Sequence, residues 1–338
     1  VQNIELTFAS GESSLAVRSF SVEQRMSGLF EIAVVAVSPE DDLDLAALLG
    51  SGAVFRMGST DTGGPYRAFS GVVSHAEQVE IDAAGVATYF LRIVPALWRT
   101  TRRRNNRIFQ HRSLPEIAIE VLAEWEIQPV LELDLASFPK LEYRVQYAET
   151  DFAFLSRVLE EAGIAYAFRD PEPGEAGQVR AQTSLVLAAD AHRNEPREAG
   201  PLLHILDKAV NSARDAVWQV RFVEDVRSGR LTIRDYDFRS RPDFQLIAEA
   251  RAAVGLEERF ELYDYAPGAF LVEVEAGRPA RVDERFAKGL AARQLGAGRH
   301  GKRAISYRAN VLDLAPGVVF QITGHPRHEL AEQNRLLA

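Results

Sequence analysis

The stretch YRVQYAETDFAFLSRVLEEAGIAYAF, residues 143–168, carries a helix signal and then a strand signal within a short span. From Thr150 the period is helical: Phe152, Leu155, Val158, Leu159 and Ala162 make one apolar stripe. Thr150 caps the start, and Gly163 stands where a left-handed C-cap belongs. IAYAF, 164–168, then reads as strand. The spacing predicts a helix over 151–162. Immediately upstream, Ser113-Leu114-Pro115-Glu116 forms a capping box with proline in the first turn, predicting a helix near 115–126 with Ile117, Val121, Leu122 and Trp125 inward. Between 100 and 107 lies TTRRRNNR, a basic stretch read as a turn. Beyond 168 come the loop DPEPGEAGQ (170–178), the strand SLVLAA (184–189) and a linker-like run at 190–201. Residues 100–200 thus read as an α+β segment.

Both flanks read as β. LFEIAVVAV (29–37), AVFRM (53–57), YRAFSGVVSHAEQVE (66–80) and VATYFLRIVPALW (86–98) are rich in β-branched and aromatic residues, with turn formers between them. In VATYFLRIV both faces are largely apolar, with Arg92 the exception, and AVWQVRFV (216–223) shares that trait. A strand apolar on both faces is buried twice or meets a partner. LLHIL, AVWQVRFVEDV and RLTIRDYDF fill 202–239, with Ser228-Gly229 read as a hairpin turn. A third helix is expected over 281–295, ending at Gly296 and Gly298, before the short strands ISYRA and VVFQIT. No short-period repeat appears. The fold class is α+β, mainly β: two β blocks around an α+β insertion. The expected division is 1–99, 100–200 and 201–338, the first block possibly completed by strands from 202–240.

Three ordered segments carry a family resemblance: LWRTTRRRNNRIFQHRSLPEIAIEVLAEWEI (97–127), the stretch 143–168, and ELYDYAPGAF (261–270), continuing to Gly324-His325-Pro326-Arg327. Together they resemble the N-terminal hub region of type VI secretion VgrG spike proteins, similar to contractile phage tail hubs. The resemblance implies a homotrimer in which each chain supplies two tube-like β-barrels, so that six barrels meet a hexameric Hcp-like tube ring. It further implies baseplate contacts, and a PAAR-like tip and effectors reached through an oligosaccharide-binding-type barrel and needle. That continuation is expected beyond Asn334–Ala338, where this sequence stops. A baseplate hub of a phage tail or of an extracellular injection system is the nearest alternative. The implied location is the cytoplasm during assembly, then outside the cell or in a target cell.

The composition narrows the chemistry. The 338 residues suffice for two or three domains at about 150 residues each. A net charge of −9 argues against a general nucleic-acid surface. Zero cysteines exclude disulfides, thiolate metal sites and cysteine nucleophiles. The N-terminal VQNIELTFAS has no signal-peptide pattern, and the six-residue run Ile32–Val37 falls short of the about 20 residues that anchor a chain in a membrane. His325 and His328 flank Pro326, which disrupts the helical face a zinc-protease pair needs. Glu160-Glu161, Asp41-Asp42 and Glu257-Glu258 are neighbours in sequence and read as solvated faces rather than a glycosidase pair. Gly63-Gly64-Pro65 lacks the Lys-Ser/Thr of a phosphate loop. The Gly296-x-Gly298-x-x-Gly301 string follows a helix rather than a strand. No catalytic residue, metal site or cofactor is expected, and a cell-wall hydrolase is the reading from another class. Arg102, Arg103, Arg104 and Arg107 remain as a candidate interface, because guanidinium forks suit carboxylates on an acidic neighbour.

Overall fold

The computed structural model describes residues 3–58, 66–170, 183–190, 194, 196–197, 199–206, 215–237, 239, 245–252, 255–272, 281–327, 330 and 335–338. The Gly63–Pro65 loop, His328, most of the loop at 170–178 and much of the run at 190–201 lie outside them. The chain is mostly β, with curled, half-barrel sheets.

The first six strands are β1 (Asn3–Phe8), β2 (Ala16–Glu23), β3 (Glu31–Ser38), β4 (Gly52–Gly58), β5 (Tyr66–Ile81) and β6 (Ala87–Val94), with a single helical turn, α1 (Leu45–Leu48), before β4. They form one sheet in the order β1-β4-β5-β6-β3-β2. The register slips between Val73 and His75, between Gln78 and Glu80, and between Val17 and Ser19. Each slip bends its strand and adds twist, which curls the sheet. The concave side buries Phe30, Ile32, Val34, Phe55, Phe69, Tyr89, Leu91 and Ile93. Tyr89 keeps its hydroxyl satisfied by donating to the Glu40 carbonyl at 2.9 Å. The opposite face of β6, with Phe90 and Arg92, stays partly open, so the two-faced apolar pattern of VATYFLRIV resolves as one packed and one half-exposed face. Among the described residues no strand from 202–240 joins this sheet: every strand in it lies between Asn3 and Val94, and those of 202–240 pair in other sheets.

Next come β7 (Arg104–Arg112), α2 (Leu114–Ala123), β8 (Val130–Glu132), β9 (Leu141–Thr150), α3 (Asp151–Ala162), β10 (Ala165–Arg169) and β11 (Ser184–Ala188). Both helix starts are built as expected. The Ser113 N–H donates to Glu116 Oε2 at 2.8 Å, and Thr150 Oγ1 accepts from the Ala153 N–H at 3.1 Å. Gly163 closes α3 at φ 72°, a left-handed position that glycine takes at little cost. The basic stretch is not a simple turn: a 3-10 helix spans Ala96–Arg102, and Arg104 already opens β7. One apolar cluster runs from the first sheet through Phe109, Ile117, Val121, Phe154 and Val158 to Leu187, so the first block and the helices share a core.

The remaining elements are β12 (Leu202–Ile205), β13 (Ala216–Glu224), β14 (Arg230–Asp235), β15 (Leu246–Arg251), β16 (Glu261–Tyr265), β17 (Leu271–Val272), β18 (Arg281–Val282), α4 (Glu284–Arg299), β19 (Arg303–Ala309), β20 (Val319–Thr323) and β21 (Leu336–Leu337). They divide between two sheets, β19-β13-β12-β20-β21 and β15-β14-β16, while β17 and β18 extend β9 and β7. The sheet built on β7 and β9 therefore crosses the expected boundary near residue 200.

Three expectations need correction here. Ser228-Gly229 is no hairpin turn: β13 and β14 lie in different sheets, and the Gly229 N–H donates to the Glu257 and Phe260 carbonyls, each at 3.1 Å. The third helix starts later and runs through Gly296 and Gly298 to Arg299. Arg299 holds that last turn, donating to the Ser228 carbonyl at 2.7 Å and to Glu257 at 2.8 Å. In AVWQVRFV the two-residue period breaks between Trp218 and Arg221, where Gln219 takes φ 53°.

Glu257 joins these parts. It is 8% exposed and accepts from Lys302, Arg299 and the Arg227 N–H. The Lys302 and Arg299 contacts and the backbone donor hold its carboxyl down to about 2. A depressed carboxyl stabilises the fold above its unfolded value and loses that contribution as pH falls through the folded one. Glu257→Gln is therefore expected to lower the melting temperature at pH 7, with the gap to the parent chain closing between about pH 4.5 and pH 2. Thermal unfolding across that range checks it; a pH-independent gap would contradict the assignment.

Candidate functional site

The four arginines singled out by sequence part into two pairs. Arg103 and Arg107 converge on Asp151, the first residue of α3, whose side chain is 0% exposed. Asp151 Oδ2 accepts from Arg103 Nε at 2.7 Å and Trp125 Nε1 at 2.9 Å. Oδ1 accepts from an Arg107 terminal nitrogen at 2.8 Å and from Gln146 Nε2 at 2.9 Å. Glu124 at the end of α2 takes a second contact from each arginine. Arg103 also lies 4.7 Å over the Trp125 ring, and Arg107 lies 5.4 Å over Phe109. Burial alone would raise the Asp151 carboxyl, but donors from Gln146, Trp125 and Arg103 and the charge of Arg107 together hold it below the usual range.

The strands and helices place these groups for local reasons. β7 and β9 pair with one extra residue on β9, where Ala148 takes φ 50°. That bulge aims Gln146 and Asp151 at the same point. The Asp151 N–H in turn donates to the Arg103 carbonyl at 3.0 Å, so backbone and side chain bind the same neighbour. Helix α2 ends by presenting Glu124 and Trp125 to it. Arg103 and Arg107 thus already have carboxylate partners within the chain. Arg102 and Arg104 are exposed and have no ion pair among the described residues; Arg102 stacks 4.2 Å over Trp98. The sequence reading did not single out Asp151, Gln146 or Phe154 as buried groups, nor Arg67, which is 5% exposed and donates to Gln24 and to the Leu312 carbonyl, each at 3.0 Å. An aspartate directly after a Thr cap was the available signal for a charge at the helix start.

The groups weighed as chemistry do not converge. No cluster of three or more His, Asp or Glu side chains able to hold a metal occurs among the described residues. Glu161 pairs with Arg144 and Arg157. His325 accepts the Arg327 N–H at 3.1 Å within its own turn.

Removing one side of a buried, fully bonded charge set costs about 3–5 kcal/mol. Asp151→Ala is expected to destabilise the chain by about that amount in urea unfolding. Arg104→Ala, at an exposed unpaired site, is expected to change stability by under about 0.5 kcal/mol. Equal effects from the two variants would contradict the division into pairs.

The comparisons with known proteins agree on a family. A family model described as phage tail baseplate hub (GPD) matches residues 23–338. The type VI secretion system spike protein VgrG1b of Pseudomonas aeruginosa is 30% identical over 92% of this chain, covering 40% of its own length. VgrG1a of the same organism is 29% identical over 96% of the chain and 47% of its own length. The chain thus spans less than half of these curated relatives. Among solved structures, the Escherichia coli c3393 protein, a type VI secretion component described as similar to bacteriophage T4 gp27 and gp5, superimposes with a TM-score of 0.65 at 17% identity, over 98% of this chain and 70% of its own. The 43 kDa tail protein of prophage MuSo2 from Shewanella oneidensis gives 0.61 at 13% identity, over 100% of this chain and 92% of its own. At such identities the structural likeness concerns the fold; the family match spans nearly the whole sequence, and this chain belongs to the phage tail baseplate hub family, with VgrG spike proteins among its relatives.

Proposed function

We propose that this chain is the hub portion of a contractile injection machine of the type VI secretion kind, a structural part rather than an enzyme. In this reading three copies form a ring, residues 1–99 and 201–338 each supply a tube-like barrel, and 100–200 is the insertion between them. The ring adapts a hexameric Hcp-like tube to the puncturing tip, contacts baseplate proteins, and carries a PAAR-like tip and effectors through a needle. It assembles in the cytoplasm and leaves with the machine.

The observation that carries this reading is the family match across 23–338. The strand surfaces support it. On β7 and β9, Ile108 is 67% exposed and Tyr147 79% exposed, with Tyr143 beside them on the same face. On the edge strand β16, Leu262, Tyr263 and Tyr265 are all open to solvent. Such apolar rows suit subunit contacts. Obligate interfaces bury about 2,000 Å² or more, which surfaces of this kind supply and a single pocket does not. Closed threefold symmetry also avoids open-ended filaments, and two barrels per chain then present six to a sixfold ring. The likeness to a prophage tail protein keeps a second reading in view, the hub of a phage tail. Which tube protein the chain binds separates the two.

Light scattering across a concentration series, with and without the tube protein, tests the assembly. Three copies per particle are expected, at the least once a tube ring is present. A stable dimer, or a monomer that persists at high concentration beside the tube protein, would refute it.

A further inference from the structure

A cleft of about 670 Å³ opens where the end of β2, the start of β3, the strands β5 and β6, and the Ala96–Arg102 helix meet. Its lining is mainly polar, with Leu29 and Trp98 as apolar neighbours and Phe30 and Val94 buried beneath it. Three guanidinium groups line it, those of Arg25, Arg92 and Arg102. Two of them have no carboxylate partner among the described residues: Arg25 and Arg102 form no ion pair there. Arg102 is nevertheless held in place. Arg102 stacks 4.2 Å over Trp98, which forms a wall of the cleft. Arg25 lies so closely over Gly28 that a β-carbon at that glycine would sit 2.3 Å from the Arg25 Nε. Arg92 is the third. Its Nε lies 3.0 Å from Glu31 Oε1, yet this buried nitrogen makes no hydrogen bond, because its N–H does not point at that oxygen.

We infer that this cleft is a docking site for a carboxylate-bearing segment of a partner polypeptide. A carboxylate accepts from several guanidinium donors at once, and those contacts are the short, charge-assisted kind. The partner is a polypeptide rather than a phosphate because Glu23 and Glu31 also line the cleft. Two carboxylates in the wall repel a dianion, whereas backbone N–H groups beside an Asp or Glu side chain satisfy them. Trp98 in the wall offers a flat surface to an apolar side chain flanking the carboxylate. The site goes beyond the hub reading, since it is complete on a single chain.

A display library of random seven-residue peptides, selected on the isolated full chain, provides the probe. The selected peptides are expected to carry Asp or Glu at a fixed position beside an apolar residue. Their binding is expected to fall at least tenfold on the Arg25→Gln/Arg102→Gln double variant. Both side chains lie at the surface, and an unchanged circular dichroism spectrum confirms that the variant folds. Millimolar inorganic phosphate is expected to leave binding intact. A selection without acidic enrichment, equal binding by the variant, or displacement by phosphate would each overturn the inference. Binding is read on the single chain, so its failure leaves the assembly test untouched, and failure of the assembly leaves this one standing.

Discussion

A buried carboxylate with four donors is the interaction on which much of this architecture turns. Asp151 sits where β9 ends and α3 begins, and it has no contact with solvent. Two donors come from β7 and its preceding residue, one from the end of α2 and one from β9. An isolated buried carboxylate would be strongly unfavourable. Each lone-pair position here is met, and Glu124 shares the remaining arginine charge. The node therefore joins two helices to the antiparallel β7–β9 pair, beside the ties of Arg144 and Arg157 to Glu161 and of Arg157 to Glu149. Apolar packing is nondirectional, so a charge set of this kind is what selects one arrangement.

The consequences spread outward from that node. With α2 and α3 held, Phe154 stacks on Phe109 at 5.4 Å, and the helices close the core of the first curled sheet. Arg67 fastens the same sheet to Gln24, to Asp170 and to the carbonyl of Leu312, so the C-terminal part is tied to the N-terminal one. Helix α4 then covers the β15-β14-β16 sheet, and Arg293 reaches across to the Glu161 carbonyl at the end of α3. Outer strand faces remain open, those with Ile108 and Tyr147 and with Tyr263 and Tyr265 among them.

Much of the fold was legible because local chemistry and tertiary structure agree. Ser113, Glu116, Thr150 and Gly163 each do at a helix end what their side chains or lack of one permit. The strands of the first block carry alternation that the sheet obeys. The misreadings came where a distant contact overrides a local signal. Glycine costs a helix about 1 kcal/mol, so Gly296 and Gly298 read as an end. Arg299 instead reaches Ser228 and Glu257, some seventy and forty residues away in sequence, and keeps the helix going. Ser228-Gly229 has hairpin chemistry, but the strands on either side belong to different sheets. The basic run looked uniform in sequence. The side-chain contacts show that Arg103 and Arg107 reach the buried aspartate while Arg102 and Arg104 are exposed.

If the Asp151 node locks the helices to the sheet, native-state hydrogen exchange of the backbone reveals it most directly. The amides of β7, β9 and the first turn of α3, including the Asp151 N–H bound to the Arg103 carbonyl, should exchange only through global unfolding, as slowly as those of β3 and β6. Exchange of that group through a separate local opening, well ahead of the first sheet, would contradict the account.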